Sequence, residues 1–289
     1  MKKSESLFLE IRGLRYHIRH WPSAGAPKMV LLHGWMDVSA SFQFMVDALR
    51  ADWDVYAPDW RGYGLTEWGK SDCYWFPDYL ADLDFILEHL EKDQPVNLVG
   101  HSLGGNVGAL YAGIRPGRVA KFANLEGFGL PASRPDQAPK RYGQWLDELH
   151  EPPGLRPYAD FPELARKLQS NNPRLTDERA HFLAEHWGRK EGGQVVLRGD
   201  PAHKIVNPLL YRYEEVRACW EQVGAPVLWV DAAESDTLKR MRMDASQQAE
   251  RRAAFRNLRH VTVEEAGHML HHDQPEKVAA LIEAFFLGS

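Results

Sequence analysis

Cysteine is scarce: 289 residues contain two, Cys73 and Cys219. A chain of this length can bury a large core without disulfide staples, so both thiols are expected to be free and buried. No apolar run approaches the length that crosses a bilayer. The N-terminal stretch MKKSESLFLEIRG turns charged too soon for a secretory signal. Positive charge is not in excess: the net charge is −5, which argues against a phosphate backbone as partner. The arginines at 251, 252, 256 and 259 read as the solvated face of an amphipathic helix. There is no internal repeat, no phosphate loop and no G-x-G-x-x-G fingerprint. These absences predict a cytoplasmic monomer or homodimer that acts on a small molecule. They predict no cofactor, no metal, no membrane and no nucleic acid.

What is present is an alternation of elements. KMVLLHG, WDVYAPD, PVNLVG and RVAKFANLEGFG read as strands. They are mostly continuous apolar runs, the pattern of a parallel sheet covered on both faces. Between them, FPDYLADLDFILEHLEK repeats apolar residues at helical spacing behind Pro77, and SLGGNVGALYAGIRPG ends at Pro116-Gly117. After Leu130 the rhythm breaks into a stretch rich in proline and charge, followed by helical pieces such as TDERAHFLAEHWGRK, with Thr176 at its start. It returns near residue 216 and includes PVLWVDAAESD and HVTVEEAG. The expected organisation is an α/β core over 1–129 and 216–289, with a mostly helical cap, or lid, inserted over 130–215.

The chemistry starts at Gly100-His101-Ser102-Leu103-Gly104, between the strand PVNLV and a helix. This is the context of the G-x-S-x-G nucleophile elbow. The two glycines suit a turn too sharp for side chains two residues from Ser102. The Leu103 amide is positioned to meet an oxyanion formed at the serine. The amide of Trp35, in the loop after MVLLHG, is the expected second donor. A serine hydroxyl needs a base, and His268 follows the strand HVTVEEAG into a loop at the sheet edge where Ser102 would lie. His33 and His101 read as structural, and His271, His272 and Asp273 as surface or helix-cap groups rather than metal ligands. The base needs an orienting carboxylate. Asp236, which ends PVLWVDAAESD in the loop past its strand, is the expected acid. Asp231 and Glu234 are local rivals, and Glu126, at the end of NLEGFG's strand, is a distant one.

With these residues in hand, the chain resembles the α/β-hydrolase fold family, in its branch of serine esterases, haloperoxidase-like enzymes and carbon–carbon hydrolases. The likeness rests on five segments in order: VLLHGW; APDWRGYGLT with Asp59, Gly62, Gly64 and Thr66; GHSLGG; PVLWVDAAESD; and GHMLHHDQPEKVAALIEAFF. The resemblance implies a Ser102–Asp236–His268 triad. A serine in the elbow counts against the branches that use an aspartate nucleophile. One departure is Ala232-Ala233, where the family usually has a glycine, with slightly long spacing to Asp236.

In open α/β folds the ligand sits at the carboxyl edge of the sheet, under any insertion. Trp35, Asp37, Phe128, Trp145, Trp187 and Tyr211 are candidate pocket residues, with Asp37 equally suited to cap a helix starting near Ser39. The inserted segment's arginines are scattered among acidic residues. The expected substrate is therefore a neutral ester with an apolar or aromatic acyl group. Lactone hydrolysis, carbon–carbon hydrolysis and perhydrolysis would use nearly the same residues. A non-catalytic small-molecule receptor is the reading from another class.

Overall fold

A computed structural model describes residues 1–288. Among these residues ten strands are formed: β1 (Glu5–Ile11), β2 (Leu14–Trp21), β3 (Lys28–Leu32), β4 (Asp54–Pro58), β5 (Val96–His101), β6 (Val119–Leu125), β7 (Gly188–Glu191), β8 (Gln194–Leu197), β9 (Val227–Ala232) and β10 (Leu258–Val263). Eight of them make one sheet in the order β1-β2-β4-β3-β5-β6-β9-β10. β1 and β2 form an antiparallel hairpin through Arg12-Gly13, and β2 meets β4 antiparallel. From β4 to β10 all pairs are parallel.

The apolar runs follow from burial on both faces. In β3, Val30 and Leu32 join the core on one side and Met29 and Leu31 the core on the other. That is the two-residue alternation of a strand with no solvent face. The first layer is supplied by α2 (Phe76–Leu90), α3 (Leu103–Ile114) and α7 (Tyr213–Trp220), through residues such as Leu83, Ile86, Val107 and Trp220. The second uses α1 (Gln43–Ala48) and α11 (Pro275–Leu287), with Met45, Val46, Val278 and Ile282. Asp59, after β4, holds the following loop by accepting from the amides of Ser39 and Leu65, at 2.7 and 2.9 Å. Arg61 anchors the same loop through a bidentate pair with buried Asp82, at 2.5 and 2.6 Å.

Between β6 and α7 lie α4 (Ala138–His150), α5 (Phe161–Asn171), α6 (Asp177–Trp187) and the β7–β8 hairpin. Asp160 and Thr176 cap α5 and α6 through side-chain oxygens. This segment has an interior of its own, built on Leu164, Leu168, Leu183, Ala184 and Val195. It is tied to the core by Gly64 N–H donating to the Arg198 carbonyl at 2.8 Å, and by Tyr74 donating to Asp200 at 2.7 Å. The remaining short helices are α8 (Thr237–Arg240), α9 (Ala245–Ala253) and α10 (Leu270–Asp273). Cys73 and Cys219 are free and only half-buried. Among the described residues no helix is long and apolar enough to cross a membrane.

Candidate active site

Ser102 sits between β5 and α3 with φ 51° and ψ −112°, a left-handed conformation that a serine adopts only under constraint. The constraint is visible on both sides. Ser102 N–H donates to the Leu125 carbonyl at 2.9 Å. A Cβ on Gly104 would run into the Leu32 carbonyl, and one on Gly100 into the Gly104 carbonyl. Only a chain without side chains at those two positions turns this tightly.

His268 lies in the loop between β10 and α10. Its Nε2 is 3.0 Å from Ser102 Oγ, and its Nδ1 is 3.1 Å from Glu126 Oε2. With the Nδ1 proton donated to the carboxylate, Nε2 is free to accept from the serine hydroxyl. Glu126 follows β6, the neighbour of β5, and also has positive φ, at 57°. Its side chain is fully buried yet well supplied with donors. Ala232 N–H donates to Oε1 at 2.8 Å, and the Ser235 hydroxyl donates to Oε2. Glu126 N–H is itself bonded to the Val230 carbonyl at 3.0 Å.

The carboxylate beside His268 is thus Glu126, where the sequence predicts Asp236. Asp236 stands at the start of α8 with its side chain 65% exposed, paired with Arg240 at 2.8 Å. It has no contact with the histidine. The reason is local: the turn after β9 carries Asp236 outward, while Ala232 and Ser235 present small groups that leave room for Glu126 and bind it. The other rivals are occupied elsewhere. Asp231 accepts from Trp229 and His260, each at 2.7 Å, and Glu234 pairs with Arg174.

His33 and His101 are buried scaffolding. His33 accepts from Trp60 N–H at 2.9 Å, and burial lowers its pKa to about 4. His101 Nε2 donates to the His268 carbonyl at 2.8 Å, and burial holds this ring well below the usual histidine range. His271 and His272, expected at the surface, are instead fully enclosed at 0% and 2% exposure, because α10 folds in beneath the His268 loop. Asp37, His101 and His271 bring potential ligand atoms within 4.8 Å of one another in this interior. Asp273 accepts from Gly267 N–H at 2.8 Å and from Asn172 at 2.7 Å, joining the His268 loop to the end of α5.

A cavity of about 270 Å³ opens above Ser102 and Leu103. Trp35, Trp75 and Phe76 line it, as do Tyr74, Tyr79, Asn106 and His203, and Arg141 reaches it from α4. Of the six predicted pocket residues, Trp35 is in this wall, half-exposed, with its indole donating to the His203 carbonyl at 3.3 Å. Tyr211 lines an adjoining cavity of about 410 Å³ that shares Trp75, Leu130 and Arg141 with the first. The other four lie elsewhere. Asp37 is buried and accepts from Val38 N–H at 2.8 Å and from the Ser41 hydroxyl, holding the turn at Ser39. Trp187 donates to Ser41 at 3.2 Å, on that same side. Phe128 packs into the core near Trp229, and Trp145 is half-buried on α4 outside both cavities. Tyr74, Tyr79, Asn106, His203 and Arg141 carry no motif, so only their placement identifies them. Trp35 stands in the turn after β3. Leu103 opens α3, where the first amides have no acceptor within the helix.

Residues 27–275 match the alpha/beta hydrolase fold family. Over 276 residues the chain is 28% identical to a serine hydrolase-like protein of Danio rerio, covering 91% of this chain and 82% of the relative. It is 25% identical to a serine hydrolase-like protein of Dictyostelium discoideum, covering 89% and 74%. Among solved structures, a thioesterase domain from the curacin biosynthetic pathway superposes with a TM-score of 0.87 at 24% identity, covering 97% and 99% of the two chains. An esterase of Mycobacterium tuberculosis superposes at 0.75 and 18%, covering 98% and 91%. The sheet order, the strained serine turn and the extent of these matches agree, and the chain belongs to the alpha/beta hydrolase fold family.

Proposed function

We propose that the protein hydrolyses carboxylic esters through an acyl-enzyme, with Ser102 as nucleophile, His268 as base and Glu126 as the orienting acid. The observation that carries this reading is the continuous hydrogen-bond line from Ser102 Oγ through the His268 ring to a buried carboxylate. His268 Nε2 takes the serine proton as Oγ attacks the carbonyl carbon. The oxyanion is held by the Leu103 and Trp35 amides, which together are worth several kcal/mol. His268 then gives its proton to the leaving alcohol, takes one from the water that attacks the acyl carbon, and returns it to Ser102 Oγ as the acyl–Oγ bond breaks and the acid leaves. Glu126 accepts from Nδ1–H and fixes the ring's tautomer. A thioester would meet the same groups. The tryptophan and phenylalanine walls suit an apolar or aromatic portion next to the reacting carbonyl.

A fluorophosphonate probe tests the reading. One covalent adduct is expected, mapped to the peptide carrying Ser102 and absent in S102A. Labelling that survives in S102A refutes the assignment.

A further inference from the structure

We propose that the substrate of the Ser102 site bears an oxyanion, a carboxylate or a phosphate, at the end away from the reacting carbonyl, and that Arg141 binds it. The proposal rests on the hydrolase reading only for the position of that carbonyl. Arg141 projects from α4 into the wall shared by the two cavities. Its one hydrogen bond is from Nη1 to the Asn207 carbonyl at 3.2 Å, which leaves most of its five N–H donors unused. Among the described residues no carboxylate lies within ion-pairing distance of it. Six other arginines of the segment are paired, among them Arg134 with Asp136, Arg156 with Glu163, Arg179 with Glu276 and Arg189 with Glu191; Arg166 and Arg198 are not, among the described residues, but neither lines these cavities.

Neither cavity is lined by an aspartate or a glutamate. Yet the chain as a whole has 40 acidic against 35 basic residues. Lys140 adds a second cation to the outer cavity. Behind Leu130, buried Arg251 donates to the carbonyl oxygens of Phe128 and Leu130, at 2.6 and 2.8 Å, lies over the Tyr213 ring at 4.4 Å, and has no carboxylate partner among the described residues. Two carboxylates of the same region have other partners: Glu148 accepts from Val206 N–H and Gln144, and Asp136 from Arg134. A half-desolvated guanidinium with no counter-charge is costly unless a ligand supplies one, and its planar fork matches carboxylate and phosphate oxygens. Ser102 and the aromatic wall line the inner cavity, Arg141 lines both, and Lys140 lines the outer one. In this proposal the neutral ester expected from the scattered arginines gives way to one with an apolar reacting end and an anionic far end.

The test compares 4-nitrophenyl hydrogen adipate with its neutral methyl ester, and a third probe whose acyl chain ends in a phosphate monoester. Affinity is read on full-length S102A by quenching of tryptophan fluorescence, so that it does not depend on turnover. kcat/KM is read on the wild type. The charged probes are expected to bind S102A roughly 10- to 100-fold more tightly than the neutral one. S102A/R141Q should reduce that ratio to near one, and S102A/R141K should restore part of it. The tighter of the two charged probes identifies the oxyanion. Equal affinity for charged and neutral probes, or a ratio unchanged by R141Q, overturns the proposal. If the wild type cleaves no probe faster than S102A, the hydrolase reading fails, and the affinity ratio still judges Arg141.

Discussion

At the scale of single residues, the proposed nucleophile and base, Ser102 and His268, are readable as neighbours because each is bound to a local pattern. Ser102 needs glycines at fixed offsets, and His268 needs a strand before it and a helix after it. The acid has no such constraint. A carboxylate reaches Nδ1 of the histidine from either of two neighbouring strand ends, β6 or β9, and sequence spacing does not say which. The one local sign was Ala232-Ala233 in place of a glycine after β9, together with the slightly distant Asp236; both mark a turn that does not aim its acid inward. E126Q should therefore lower kcat by about 10³- to 10⁴-fold, because the amide no longer fixes the histidine tautomer. D236N, which removes only an exposed partner of Arg240, should stay within about twofold of wild type. Steady-state kinetics on an aryl ester, with circular dichroism to verify folding, decides it. A dead D236N beside an active E126Q would reverse the assignment.

At the scale of elements, burial made the strands and core helices legible. Period-2 packing on two faces produces apolar runs, and α2 shows its buried face at helical spacing. The inserted segment was harder to read. Its helices have caps and apolar faces, but which residues turn toward Ser102 depends on how α4 and the loop before α7 settle on the core. The packing of α4 brings Arg141 to the cavity and leaves Trp145 outside it. The elbow shows the opposite case, an element in which backbone contact dictates sequence. G104A should fail there, because its Cβ meets the Leu32 carbonyl, which belongs to β3 and cannot yield as a flexible side chain does. Overpacking of this kind costs about 1–3 kcal/mol or more. The expected result is a Tm several degrees lower, with reduced fluorophosphonate labelling of the remaining folded protein. A G104A protein with wild-type Tm and labelling would mean that the turn has more room than the β3–α3 approach shows.

At the scale of the whole molecule, the feature with the largest consequence is the number of histidines that folding encloses. Burial lowers the pKa of His33 to about 4 and those of His203 and His272 to about 3, and pushes His101 and His271 well below the usual range. An unfolded histidine titrates near 6.5. Below that pH the unfolded chain takes up protons that the folded chain excludes, so stability falls as pH falls, and continues to fall until the folded rings titrate. At pH 5 each such histidine has cost about 2 kcal/mol relative to pH 7. Asp37 acts in the opposite direction. Burial raises its pKa to about 7, so the folded chain holds a proton that the unfolded chain releases, which returns about 2 kcal/mol over the same interval. Three or more histidines against one aspartate leave a net loss of at least roughly 4 kcal/mol, a large share of a stability that is ordinarily about 5–15 kcal/mol. Urea unfolding should therefore show a midpoint that drops steeply between pH 7 and pH 5. His203, stacked between Tyr63 and Tyr74 at 3.7 and 3.8 Å, gives the specific check. H203Q is less stable at pH 7 for want of that packing, but its loss between pH 7 and 5 should be smaller than that of wild type by about 2 kcal/mol. An equal loss in the two proteins would mean that the ring is charged in the folded state, and that acid sensitivity arises elsewhere.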